Sequence, residues 1–235
     1  MTELDTLLIV QEHDTLAEQL RHKRLSLPER VSLEAKRAER AATSRQRDAL
    51  QAEVDGHQGE LDRIEHDVEG VNAKRNDLTR KLQSTAVPRE AQTLQHELDG
   101  LAERVGHLED RELELMEAIE PRAAEVTALD ALLARLDVDI IVSAEALVMA
   151  EAAVDAEIAA NTGARAVAVA SVPDALLARY DKMRPKLGGV AVARLVAGRC
   201  TGCHLQLSTS EVDRIRHEAP DVVVSCEQCG RLLVH

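Results

Sequence analysis

The stretch KLQSTAVPREAQTL, residues 81–94, separates two long runs of heptad-spaced apolar residues, and its reading decides the fold. Val87 precedes a proline and is biased away from the helical region. Pro88 has the fixed φ and missing N–H suited to a first helical turn. A helix therefore ends before Val87 and another begins at Pro88. Upstream, apolar positions alternate in steps of four and three from Leu50 through Val54, Leu61, Ile64, Val68, Val71 and Leu78 to Leu82, with His57 and Arg75 as polar exceptions. Downstream the pattern runs from Leu94 to Ile140, and twelve of its fourteen positions are apolar. Glu112 and Arg122 are the exceptions. A period of 3.5 sustained this long marks a left-handed supercoil. The short break makes the two helices an antiparallel hairpin, in a register that sets Leu78 near Leu98, Val71 near Val105 and Leu61 near Leu115. The four polar seam residues are read as side chains that reach past the seam to water.

A second break, LSLPER at 25–30, offers Ser26 as a cap and Pro28 in a first turn. Residues 4–25 form a separate helix expected to fold onto the base of the hairpin. The helix from Pro28 to Ser84 spans 57 residues, about 85 Å at 1.5 Å per residue.

Composition agrees with helices more than with a globular core. The chain has one Tyr and no Phe or Trp, while 30% of its residues are charged. The net charge of −13 is uneven. Residues 1–171 carry 20 Lys and Arg against 35 Asp and Glu, whereas residues 172–235 carry 9 against 7. The expected organisation is a coiled-coil domain over 1–171 followed by a second domain over 172–235. The opening MTELDTLLIV is acidic and unlike a leader. The most apolar stretch, 140–154, is broken by Glu145 and Glu151 and is shorter than the roughly 20 residues needed to span a bilayer. The expected setting is cytoplasmic, with no membrane partner.

All four cysteines fall in the last forty residues, as RCTGCHL at 199–205 and SCEQCGRLL at 225–233. In a reducing compartment, paired CxxC motifs point to a metal. Two residues between cysteines let one tight turn aim both sulfurs at a shared centre. Cys200, Cys203, Cys226 and Cys229 thus supply the thiolates of one tetrahedral structural Zn2+ site. Gly230 suits the positive φ such a turn needs, and Gly202 is expected to loosen the first turn in a similar way. His204 adjoins Cys203 and is the weaker alternative ligand. GVAVARLVAGR, 189–199, reads as a strand entering the first turn, while VVVS and RLLVH flank the second. Between them, Ser208 and Glu211 have capping-box spacing for a short helix reaching toward Pro220.

The zinc site has no position left for a catalytic water. The chain lacks GxSxG, a phosphate loop ending in GK[ST], and HExxH. It is read as not an enzyme and as having no small-molecule substrate. Arg179, Lys182, Arg184, Lys186, Arg194 and Arg199 cluster before the first cysteine turn, opposed there only by Asp181. They form a candidate nucleic-acid or partner-binding patch. Against nucleic acid stand the acidic hairpin and the lack of stacking aromatics, with only Tyr180 nearby. The structural alternative is that these residues pair with carboxylates of the long helical part.

The motifs VPREAQTLQHEL, LEDRELELME, GGVAVARL and GRCTGCHLQL with CEQCGRLL resemble the bacterial coiled-coil proteins that carry a C-terminal C4-type zinc ribbon, the DUF164 family. The resemblance covers nearly the whole chain. It implies a mainly α fold: a long antiparallel helical hairpin followed by a small C-terminal zinc ribbon with short β-strands, the four cysteines matching the family's ligands. It also implies protein partners connected with transcription or secretion for some members, and RNA for others. The expected role is a non-enzymatic adaptor or chaperone-like protein that binds protein partners; the alternative is RNA or DNA binding through the ribbon region.

Overall fold

The computed structural model describes residues 2–219 and 222–234. Three long helices come first: α1 (Glu3–Leu25), α2 (Pro28–Ser84) and α3 (Pro88–Val169). They are followed by α4 (Asp174–Met183), a 3₁₀ turn (Arg184–Leu187), β1 (Val192–Val196), β2 (Arg199–Cys200), α5 (Thr209–His217), β3 (Val224–Ser225) and β4 (Leu232–Val234). The hairpin break lies where the proline rule puts it, and α3 begins at Pro88. At the other end of the chain, Thr2 caps α1 reciprocally: its hydroxyl accepts from Asp5 N, and the Asp5 carboxylate accepts from Thr2 N.

Packing divides the chain into two compact units, residues 32–143 and residues 1–31 with 144–235. The compositional boundary at 171/172 falls inside the second of these. Charge counting does not register that α1 shares its core with the C-terminal residues.

Within the 32–143 unit, α2 and α3 run antiparallel in the expected register. Leu61, Ile64 and Leu115 form one buried cluster, flanked by Val68 and Leu108. Cross-helix ion pairs follow the same order, with Arg111 to Glu60, Arg122 to Glu53 and Arg47 to Asp130. The polar seam residues His57, Arg75, Glu112 and Arg122 are half-buried. Arg122 shows the reason: its stem crosses the seam and its guanidinium reaches Glu53 at 3.0 Å.

The second unit is built around the apolar face of α1. Leu4, Leu7, Leu8 and Val10 pack with Leu176 and Tyr180 of α4, with Ala191 just before β1, and with Val192, Leu232 and Val234 of the sheet. That sheet has the order β2-β1-β4-β3, with β1 and β4 parallel and the outer pairs antiparallel. The strand expected over 189–199 is shorter and folded back on itself. Ala197 and Gly198 take φ of 50° and 79°, a two-residue turn joining β1 to β2. The helix expected to run toward Pro220 ends at His217, and Pro220 lies outside the described residues.

Candidate metal centre

The two cysteine turns are built alike. In the first, His204 N donates to Cys200 O at 2.8 Å; in the second, Gly230 N donates to Cys226 O at 2.8 Å. In both, the residue after the second cysteine takes positive φ, 60° at His204 and 74° at Gly230. The left-handed residue of the first turn is thus His204, not Gly202. Gly202 is needed for space instead: a Cβ there would lie 2.4 Å from Arg231 Cδ and 3.0 Å from Ala193 Cβ.

The turns bring the sulfurs of Cys200, Cys203, Cys226 and Cys229 within 4.8 Å of one another. Four thiolates at about 2.3 Å from one zinc ion in tetrahedral array would stand about 3.8 Å apart, so the donor set fits a structural zinc ion. Cys200 and Cys226 are buried, and burial raises both thiols, Cys226 to about 12. Burial also pushes Cys229 up, but hydrogen bonds from the Arg231 backbone and side chain, with further ones from Cys226 and Cys203, outweigh it and bring that thiol to about 7. A cluster like this resists full ionisation until a dication supplies the missing positive charge. With four thiolates bound, the ion keeps no open position for substrate or water.

Three side chains hold the turns in place. Arg231 donates to Val190 O at 2.8 Å and Leu187 O at 2.9 Å. The buried Glu211 accepts from Glu227 N at 3.3 Å, so its carboxylate serves the second cysteine turn and does not close a capping box. Ser208 still caps α5 by accepting from Glu211 N. Gln11 of α1, also buried, donates to Val192 O at 2.8 Å and accepts from Ala191 N and Val192 N at 2.7 and 2.8 Å. A helix side chain thereby completes the hydrogen bonding of a strand's first residues. Sequence reasoning gave Glu211 a capping-box role and singled out neither Arg231 nor Gln11. The only signal for Gln11 was an amide at the end of the apolar run LLIVQ.

The basic patch separates into two groups. Arg184 bonds Glu18 at 2.6 Å and lies 3.9 Å from Asp14, while Arg194 meets Asp5 at 3.4 Å. Arg179 donates to Ser225 Oγ at 2.9 Å. Lys182, Lys186 and Arg199 have no ion pair among the described residues. Tyr180 is fully buried, and its hydroxyl donates to Asp14 at 2.8 Å. Arg165, absent from the sequence reading, also bonds Asp14, at 2.7 Å. Burial raises Asp14, but bonds from Arg165 and Tyr180 and the charges of Arg165 and Arg184 more than offset this, holding its carboxyl below the ordinary range.

A helical hairpin followed by a closed four-cysteine ribbon defines a class of coiled-coil zinc-ribbon proteins. The chain belongs to the family of the CT398-like coiled coil hairpin domain, whose model matches residues 10–188, and it carries a C4-type zinc ribbon domain matched over residues 199–233. It is similar to the uncharacterized protein Rv2229c of Mycobacterium tuberculosis, 30% identical over 231 residues, covering 97% of this chain and 94% of that protein. Among solved structures, it resembles a Mycobacterium smegmatis protein with a TM-score of 0.87 and 24% identity, covering 99% of this chain and 97% of that one. It also resembles CT398 from Chlamydia trachomatis, with a TM-score of 0.75 and 18% identity, covering 98% and 96%. These two likenesses bear on the fold. Among the described residues, no helix is long and apolar enough to cross a membrane.

Proposed function

We propose that the chain is a non-enzymatic adaptor of the cytoplasm that presents its coiled-coil surface to protein partners, with the zinc ribbon as a structural closure. The observation that carries this reading is the closed donor set. Four cysteines take every tetrahedral position, and Arg184 and Arg194 of the neighbouring basic patch are tied to the chain's own acids. Chemistry at the metal has no vacant site to use, while the hairpin offers long helical faces of the kind that bind partner helices. A role in transcription or secretion is the corresponding expectation for the partner. Nucleic-acid binding is the weaker reading, because Arg184 and Arg194 are engaged internally and the one aromatic ring is buried.

The test is affinity capture from the source cell's lysate on the zinc-loaded full chain, with and without nuclease. A partner retained after nuclease and at 0.5 M salt supports the adaptor. Capture abolished by nuclease and falling steeply with salt assigns the chain to nucleic acid instead. The ribbon alone is a poor bait, since α1 supplies Leu4, Leu7, Leu8 and Val10 to the core that its strands share.

A further inference from the structure

Between Ala144 and Val169, α3 is apolar on two opposite faces. One face buries Val154 and Asn161 against its own unit. On the other, Val148, Met149, Ala152, Ala156, Gly163 and Val167 recur at helical spacing and stay exposed, Met149 and Val167 each at 73%. Glu145 is the one charged residue in this stripe. A second apolar stripe on a helix is a face suited to burial against another element. Gly163 lies within the same stripe. Glycine within a helix costs about 1 kcal/mol relative to alanine, yet a Cβ at 163 would meet nothing within 4 Å in its own chain. No intramolecular contact requires the glycine.

We propose that this face pairs with the same face of a second copy of the chain, antiparallel about a twofold axis at Ala156. In that register Met149 lies against the partner's Gly163, Ala156 against its own copy, and Val167 against the partner's Glu145. Met149 of each copy meets the glycine of the other, a large-against-small match that lets helices approach closely. Glu145 falls at the outer end of the contact, beside the partner's Val167, where its carboxylate reaches water.

The charge pattern selects a second copy over a cationic peptide. Glu151 pairs with Arg30 and Arg24, Asp155 with Arg24, Glu157 with Lys23, and Arg165 with Asp14. The helix flanks are therefore neutralised within the chain, so two copies of net charge −13 can meet here without opposing unpaired carboxylates. A cationic partner would find only Glu145. The stripe covers roughly 35 Å of helix at 1.5 Å per residue. Three large exposed side chains at on the order of 100 Å² each, with the alanines between them, offer roughly 500 Å² per copy. The total, about 1,000 Å², is at the lower limit for a specific interface, which makes the dimer weak and reversible.

Sedimentation equilibrium of the zinc-loaded full chain from about 1 to 300 µM tests this. The expected result is a monomer–dimer equilibrium with a dissociation constant of tens of micromolar, about 6–7 kcal/mol of association. Ala156→Asp, which sets two carboxylates face to face at the axis, and Gly163→Leu, which closes the gap for Met149, each weaken the dimer at least tenfold. Both positions are exposed, so helical circular dichroism and zinc content stay unchanged. A monomer over the whole range overturns the proposal, as does a dimer that neither substitution weakens.

Discussion

Replacing Gln11 with leucine, a side chain of similar size, removes the amide that joins α1 to the start of β1. Three bonds are lost: the donation to Val192 O and the two acceptances from Ala191 N and Val192 N. All three backbone groups lie inside a core closed by Leu7, Val10 and Leu232, where water does not replace the amide. A buried polar group left without a partner costs about 1–3 kcal/mol. Allowing for relaxation at the strand end, the loss is about 3–5 kcal/mol, a large share of the roughly 5–15 kcal/mol that stabilises an ordinary domain. Native-state hydrogen exchange on the zinc-loaded chain measures it locally. The informative amide is Leu232, which donates to Ala191 O at 2.9 Å and so keeps its own acceptor. Its exchange should quicken at least a hundredfold, since about 1.4 kcal/mol corresponds to a factor of ten. A change of less than threefold at Leu232 would refute the idea that α1 clamps the ribbon through this side chain.

Three further perturbations probe other parts of the site. Gly202→Val drives a side chain into Arg231 and loosens its bonds to Leu187 O and Val190 O, at a cost of about 2 kcal/mol; competition with a chelator should show zinc affinity falling about thirtyfold, and an unchanged affinity would contradict the packing seen at Gly202. Tyr180 is the chain's only tyrosine and there is no Trp, so absorbance at 295 nm follows one phenol; burial first and then the bond to Asp14 raise its pKa, so stability is complete below the unfolded value near 10 and is lost as pH rises beyond it, and phenolate appearing near pH 10 with native circular dichroism would contradict this. Ala197→Asn gives the β1–β2 turn the Asn-Gly pair favoured at positive φ and should raise ribbon stability by about 0.5–1 kcal/mol, read as a higher chelator concentration for half-release of zinc; a drop would mean that the turn conformation is set by something other than φ.

The hairpin and the ribbon were legible in the sequence because their causes are local. A 3.5 period, a proline that can only begin a helix, and two CxxC turns each act over a few residues. Leu61 and Leu115 meet as the heptad alone requires. What was not legible depends on contacts distant in sequence. The apolar face of α1 has no mark showing that its partner lies about 180 residues away, and Gln11 looks like any surface amide until β1 is laid beside it. His204 has the look of a ligand beside Cys203, whereas its position is a backbone one, matching Gly230 across the two turns. The basic patch was visible as composition, but the acids Asp5, Asp14 and Glu18 that engage part of it sit on α1 near the other end of the chain. The outer face of α3 was noticed only as an apolar stretch too short for a membrane, because hydropathy averages over both faces of a helix and loses the division between them.

The closed thiolate site underlies both the fold of the ribbon and the exclusion of metal-centred chemistry. X-ray absorption at the zinc edge on the purified full chain tests it most directly. The expected spectrum gives one zinc per chain with four sulfur ligands at about 2.3 Å and no nitrogen or oxygen. A nitrogen ligand, which would bring His204 into the site, or an oxygen from bound water would contradict a purely structural four-thiolate zinc.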